Sequence, residues 1–276
     1  MQIMKRHRDS DFRNLYGAMV LGGLLLLAVE RAAAVEPSPA AAADFNNYIG
    51  SIELRLARQH QSREGFLAEA VTDPQIEARL RKGELIIEQL TPDGGAKLPG
   101  ALLHDWRGTA FVAGAKAADF ERLMKDFSTY PQHFSPEALT AKVTMQQGDH
   151  LQATMRIRQQ HIVTVVMDTA YDIYYGRLDA QHGYSVSRST QISEIDGAGT
   201  SGEQTLDAQQ ERGYLWRLNT YWTYEERDGG LYIQIETVTL TRSIPTGFGW
   251  IVGPFIESIP RDSLEFILRS AANALR

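Results

Sequence analysis

Aromatic and hydroxyl side chains, more than ionisable ones, form the densest candidate site in this sequence. From 214 to 224, Tyr214, Trp216, Leu218, Thr220, Trp222 and Tyr224 occupy every second position. Period-two spacing puts them on one face of a strand, with Arg217, Asn219, Tyr221 and Thr223 on the other. Such a face either fills a core, the usual fate of large apolar side chains, or walls an apolar pocket in which a few polar tips orient a ligand. Met155 and Tyr171, on neighbouring strand patterns, join the same set of candidate ligand contacts. Arg188 alternates with Tyr184, Val186 and Ile192. A charge on so apolar a face is costly unless paired, so Arg188 either pairs with Glu236 on a nearby strand or anchors a ligand head group.

The ionisable residues assemble into no familiar reaction. His104, His133, His150, His161 and His182 contain no i, i+4 pair and no H-E-x-x-H motif, so the sequence assigns no zinc site. His161 and Asp168 lie seven residues apart along one strand pattern. That offset separates them by about 23 Å and turns them to opposite faces. No G-x-S-x-G elbow occurs. Gly197-Ala198-Gly199-Thr200-Ser201-Gly202 fits G-x-G-x-x-G, but a nucleotide site needs those glycines to open a helix in a βαβ unit. The polar stretch after it is short, so the motif reads as a loop. With no cysteine in the chain there is no thiolate nucleophile, disulfide or Cys-ligated metal. No catalytic residue, metal or cofactor is assigned.

The elements that must position these residues follow a simple order: a helix, a long run of strands, and an amphipathic helix at the end. Asp44 reads as the N-cap of a helix carrying Phe45, Tyr48, Ile49, Ile52 and Leu56 on one face. Asp73-Pro74 opens a second, short helix and Gly83 follows its end. Glu84–Leu90 reads as a strand. Residues 44–100 form a helical preface packed on a main domain over 101–276, since fewer than about 60 residues would be marginal alone. In the main domain a strand around Trp106–Val112 precedes helix 117–127. Strand patterns follow at Leu151–Arg158, Val163–Ile173, Tyr184–Ile195, Tyr214–Glu226 and Leu231–Arg242, the last two joined by the hairpin signal Asp228-Gly229-Gly230. Long adjacent antiparallel strands twist and coil. Pro260 then reads as the start of a helix bearing Leu264, Ile267, Leu268, Ala271 and Leu275. Before it, the glycine-rich apolar stretch from Gly247 to Phe255 is either a loop over a pocket mouth or the buried lead-in to that helix.

The N-terminus carries an address. Lys5, Arg6, Arg8 and Arg13 precede an apolar run from Leu15 to Val29, followed by Ala32-Ala33-Ala34 and Ala41-Ala42-Ala43. This is the pattern of a signal peptide over 1–34, or to 43, with 35–43 as linker. A run of about 15 residues falls short of the ~20 that span a bilayer, leaving an uncleaved anchor as the alternative. Removing residues 1–34 takes away five basic and three acidic side chains and leaves 23 against 31, a net −8. So acidic a chain has no electrostatic reason to bind nucleic acid or an anionic membrane; any membrane contact is transient.

One stretch carries a family resemblance. Asp126-Phe127-Ser128-Thr129-Tyr130-Pro131-Gln132-His133-Phe134 resembles the helix, "YP" and aromatic turn that open polyketide-cyclase-like and coenzyme-Q-binding-like members of the START-like, or SRPBCC, superfamily. The order of elements from Trp106 to Arg276 agrees, over roughly 170 residues. The resemblance implies an α+β helix-grip fold, in which a curved antiparallel sheet grips a long C-terminal helix around a cavity for a lipid, quinone or polyketide-like molecule. The expectation is an exported, periplasmic or secreted, monomeric binding protein that does no chemistry. An aromatase/cyclase-type enzyme using the same cavity and an envelope scaffold are the alternatives.

Overall fold

The computed structural model describes residues 36–68, 71, 73–160, 164–243 and 249–276, with side chains of the last helix described from Ser258 onward. The N-terminal stretch read as a signal peptide, His161 and the side chains of the glycine-rich stretch before Pro260 lie outside these residues.

Helix α1 spans Pro39–Gln59. Ser38 accepts the Ala41 N–H at 3.1 Å, and Pro39 supplies a preset φ at the first helical position. The helix therefore starts five residues before Asp44, and positions 39–43 are helix rather than linker. Its buried stripe, Ala41, Phe45, Ile49, Ile52 and Leu56, repeats every three or four residues. Helix α2, Pro74–Arg81, is capped by Asp73, whose carboxylate accepts the Gln75 N–H at 2.8 Å.

Ten antiparallel strands form one curved sheet among the described residues. They are β1 (Ile86–Gln89), β2 (Ala96–Leu98), β3 (Ala101–Ala113), β4 (Ala138–Gln147), β5 (His150–Gln160), β6 (Thr164–Arg177), β7 (His182–Asp196), β8 (Gln204–Thr205), β9 (Arg217–Arg227) and β10 (Gly230–Arg242). The order across the sheet is β1-β3-β10-β9-β7-β6-β5-β4, with β2 beside β3 and β8 beside β7. Helix α3 (Ala117–Lys125) and the short α4 (Tyr130–His133) connect β3 to β4, and α5 (Gly249–Ala274) ends the fold.

Three features depart from the sequence reading. Strand β4 has no counterpart in it, although Leu139, Ala141, Val143 and Met145 alternate with Thr140, Lys142 and Thr144; this edge strand is covered on one side only, and two register shifts interrupt its pairing with β5. Strands β1 and β2 extend the main sheet along β3, so this part of the preface is sheet edge. Helix α5 begins at Gly249, which puts Pro260 in its interior. A proline at N1 is a preference, and a helix of 26 residues absorbs the loss of one ladder hydrogen bond.

The sheet is covered on both faces. On the inner face α3 and α5 close a core containing Trp106, Phe120, Trp222, Ile233, Ile235, Leu264 and Leu268. Gly108 sets how close α5 comes: a Cβ there would lie 3.1 Å from Leu268 Cδ2 and 3.3 Å from Leu264 Cδ2. On the outer face α1 docks through polar contacts. The Tyr48 hydroxyl donates to Asp105 at 2.9 Å, His60 meets Thr223 at 3.0 Å, and Arg188 grips Glu53 at 2.6 and 2.8 Å.

Candidate ligand-binding site

Register decides which side chains share the inner face. Trp222 opposes Ile235, which opposes Gly108; two rungs on, Thr220 opposes Thr237 and then Trp106; two further, Leu218 opposes Thr239 and then His104. All of these face α5, because side chains directly across an antiparallel pair point to the same side. The face is apolar and closed at one end and polar at the other.

At the closed end, Trp222 and Tyr224 are core. The ring of Phe120 packs edge-on against both, at centroid distances of 5.2 and 5.1 Å. Met155, Tyr171 and Leu218 meet in an adjoining cluster with Phe127, Leu151, Ala153 and Ile173. Burial pushes the Tyr171 phenol up to about 12, so it stays a neutral hydroxyl.

Arg188 is not part of this face. A register shift between Ala170 and Tyr171 lets Gln191 and Ser189 oppose them in turn, so one residue of β7 is left over. The bulge returns Ile192 to the inner face and leaves Arg188 opposite Asn219 on the outer one, where it pairs with Glu53 of α1. Glu236, the partner proposed from sequence, binds Arg107 at 3.0 Å and Arg55 instead. Arg188 is a latch between helix and sheet, and its role as a ligand anchor is withdrawn.

At the polar end, residues the strand pattern did not single out come forward. The hydroxyls of Thr237, Thr239 and Thr241, both ring nitrogens of His104, and the indole Nε1 of Trp106 and Trp216 are buried without a hydrogen-bond partner among the described residues, as is Ser263 Oγ on α5. Buried polar groups are nearly always paired, so a contiguous group of this size calls for a reason. Around them Leu218, Thr220, Thr237, Thr239 and Thr241 are half-buried, whereas Trp222 and Ile235 at the other end are fully covered. The sequence signal was Thr237-x-Thr239-x-Thr241, three hydroxyls on one side of a strand whose other positions, Val238 and Leu240, are apolar.

Local structure holds these groups in place. Trp216 donates its backbone N–H to Leu240 O at 2.8 Å, and its ring lies against Gly213, where a Cβ would come within 3.0 Å of Trp216 Cζ2. Gly213 has φ +75°, so side-chain space and backbone both require glycine. That loop is pinned by Glu194, whose carboxylate accepts the N–H groups of Arg212, Gly213 and Tyr214 at 2.9–3.1 Å. His104 is 1% exposed and packs against Gly95, whose added Cβ would lie 2.8 Å from Cε1. Burial holds the His104 imidazole below its usual titration range, so the ring is neutral, with one nitrogen able to donate and one to accept.

Other candidates fall away from the face. The glycine motif at 197–202 is the loop between β7 and β8, closed by Thr200 N–H to Gly197 O at 3.0 Å, and no helix follows it. Asp168 pairs with Arg156 at 2.7 Å. Among the described residues no group of three or more His, Asp or Glu is arranged to hold a metal, and no helix is long and apolar enough to cross a membrane.

No protein-family model matches the chain, and no curated protein matches it in sequence. Solved structures with a similar arrangement include a START superfamily protein from Mycobacterium smegmatis, 13% identical over 62% of this chain and 96% of that one, with a TM-score of 0.43. A STAR-related lipid transfer protein from Xanthomonas axonopodis is 14% identical over 68% and 98%, with a TM-score of 0.40. The Zhui aromatase/cyclase from a Streptomyces species is 10% identical over 62% and 92%, with a TM-score of 0.41. Likeness at this level carries no argument about ligand or reaction; the helix-grip reading rests on the strand order and the helix across the sheet.

Proposed function

We propose that this chain is an exported, monomeric carrier that holds an apolar small molecule between the inner face of the sheet and α5, and does no chemistry on it. The observation that supports this reading most is the polar end of that face, where three threonine hydroxyls, two indole N–H groups and a neutral imidazole are buried without partners. A bound molecule with hydrogen-bonding oxygens would satisfy them, while the apolar surface around Leu218, Met155 and Tyr171 would take its hydrocarbon part. The groups that would carry acid–base work are absorbed elsewhere: Glu194 is saturated by backbone N–H groups, and Arg188 and Glu236 belong to the outer face.

His104 favours a second reading, an enzyme of the aromatase/cyclase type. A neutral imidazole with both nitrogens open can take or give a proton in a closed site. Native mass spectrometry on protein isolated from the extracytoplasmic fraction of its own host separates the readings. The carrier retains a discrete small molecule released intact on activation. An enzyme releases a chemically altered product after incubation with that molecule. Protein that carries nothing and takes up nothing overturns both.

A further inference from the structure

The inner face also fixes the charge of what it binds. We infer that the ligand is a neutral molecule bearing oxygen acceptors, such as a ketone, quinone, ester or alcohol, and is neither a carboxylate nor a phosphate-bearing lipid. This inference rests on the reading of that face as a ligand site and adds the chemistry of the head group.

An indole Nε1–H only donates, so Trp106 and Trp216 each require an acceptor. Threonine hydroxyls and a neutral imidazole adapt to either role. What is missing is a compensating charge. The inward positions around the site, 102 to 108 on β3, 216 to 222 leading into β9 and 235 to 241 on β10, are Leu, His, Trp, Gly, Thr and Ile, with no Lys, Arg, Asp or Glu; on β7 the inward Glu194 is held by the loop N–H groups, and Arg212 beside it is engaged by Glu194 and Asp196. An ionised carboxylate or phosphate buried here would have no cation to meet it, a cost far above that of a neutral acceptor. An ammonium group would set donors against the two indoles.

The spacing adds a second feature. Trp106 stands on the rung of Thr237, and Trp216 hydrogen-bonds beside Thr241, four residues further along the strand. Four residues of strand correspond to about 13 Å, so the two indoles are rooted at well-separated positions along the inner face.

The test compares two molecules with one hydrocarbon chain and different heads, 1-decanoylglycerol and decanoate, by calorimetric titration of the full mature protein at pH 8, where decanoate is ionised. The glycerol ester should bind at least about tenfold more tightly. Thr239→Val removes a hydroxyl that has no partner among the described residues, so it should leave thermal stability equal or raised while weakening decanoylglycerol about tenfold. Trp106→Phe, which keeps an aromatic ring and removes the donor, should do the same to affinity. Decanoate binding as tightly as the ester, with the ligand site intact, overturns the neutral-ligand inference alone. Loss of stability without loss of affinity in Thr239→Val overturns the assignment of that hydroxyl to the ligand. If neither molecule binds at millimolar concentration, and decylubiquinone does not bind either, the ligand-site reading itself fails.

Discussion

Single residues mark the boundary between core and site. Trp222 and Trp216 share one alternating stripe, and nothing in their spacing distinguishes them, yet Trp222 is clamped by Phe120 whereas Trp216 keeps an unpartnered indole N–H. Trp222→Ala should cost about 3–5 kcal/mol in denaturant unfolding, the range for a large buried aromatic side chain. A loss below about 1 kcal/mol would place it at a cavity wall instead. Arg188 could not be read correctly from alternation, because a one-residue bulge inverts the faces and its partner Glu53 is 135 positions away in sequence. Asp105 is a different case. It is 1% exposed, and burial, with Glu236 adding to it, pushes its carboxyl up to about 7 from 3.8. Folding therefore favours the protonated form. This contribution is complete below about pH 4, declines as pH rises, and is lost above about pH 7. Asp105→Asn keeps an acceptor for Tyr48 and cannot ionise, so it should match wild type near pH 4 and melt a few °C higher at pH 8. A melting difference that does not change with pH would contradict the assignment.

At the level of elements, the periodic signals and the cap of α2 were sound, and the starts of α1 and α5 were not. The hairpin at Asp228-Gly229, the stripe of α1 and the caps of α2 all act through contacts within a few residues, so they were legible. The start of α5 was misplaced because Pro260 imitates a helix opening, whereas β4 was legible in the alternation of Leu139, Ala141, Val143 and Met145 with Thr140, Lys142 and Thr144 and was missed. The cap of α1 bears on processing. Cleavage after Ala34 keeps Ser38 and Pro39, whereas cleavage after Ala43 removes the cap and the first turn, a loss of about 1 kcal/mol for the cap alone. The mature chain should therefore begin at Val35; N-terminal sequencing of the extracytoplasmic protein checks this, and an intact Met1 on a cytosolic pool would contradict export. Helix α5 is held by Leu264 and Leu268 over Gly108. Leu268→Asp buries a carboxylate at that contact and should abolish the cooperative thermal transition or cost ~4 kcal/mol or more. Melting within about 2 °C of wild type, well under the shift such a loss produces, would show that α5 does not close the core.

For the whole molecule, residues Val35–Arg276 form one compact unit in which α1 and α5 cover opposite faces of a single sheet. The outer interface joins the apolar stripe of α1 to ion pairs and hydrogen bonds, and the inner one changes from packed aromatic core to polar groups without partners among the described residues along the same strands. That change locates the site, and it follows from which residues α3 and α5 cover rather than from any motif. The chain has four tryptophans, at 106, 216, 222 and 250, so a ¹⁵N–¹H spectrum of the indole groups reports on the inner face with few signals, assigned by Trp→Phe variants. Titration in turn with 1-decanoylglycerol, decanoate and decylubiquinone is the most direct measurement. At least one of the three should move the Trp106 and Trp216 resonances together and saturably, as their unpartnered N–H groups acquire an acceptor. If both resonances stay fixed while any of these molecules binds, or if none of them binds, the inner face is not the ligand site.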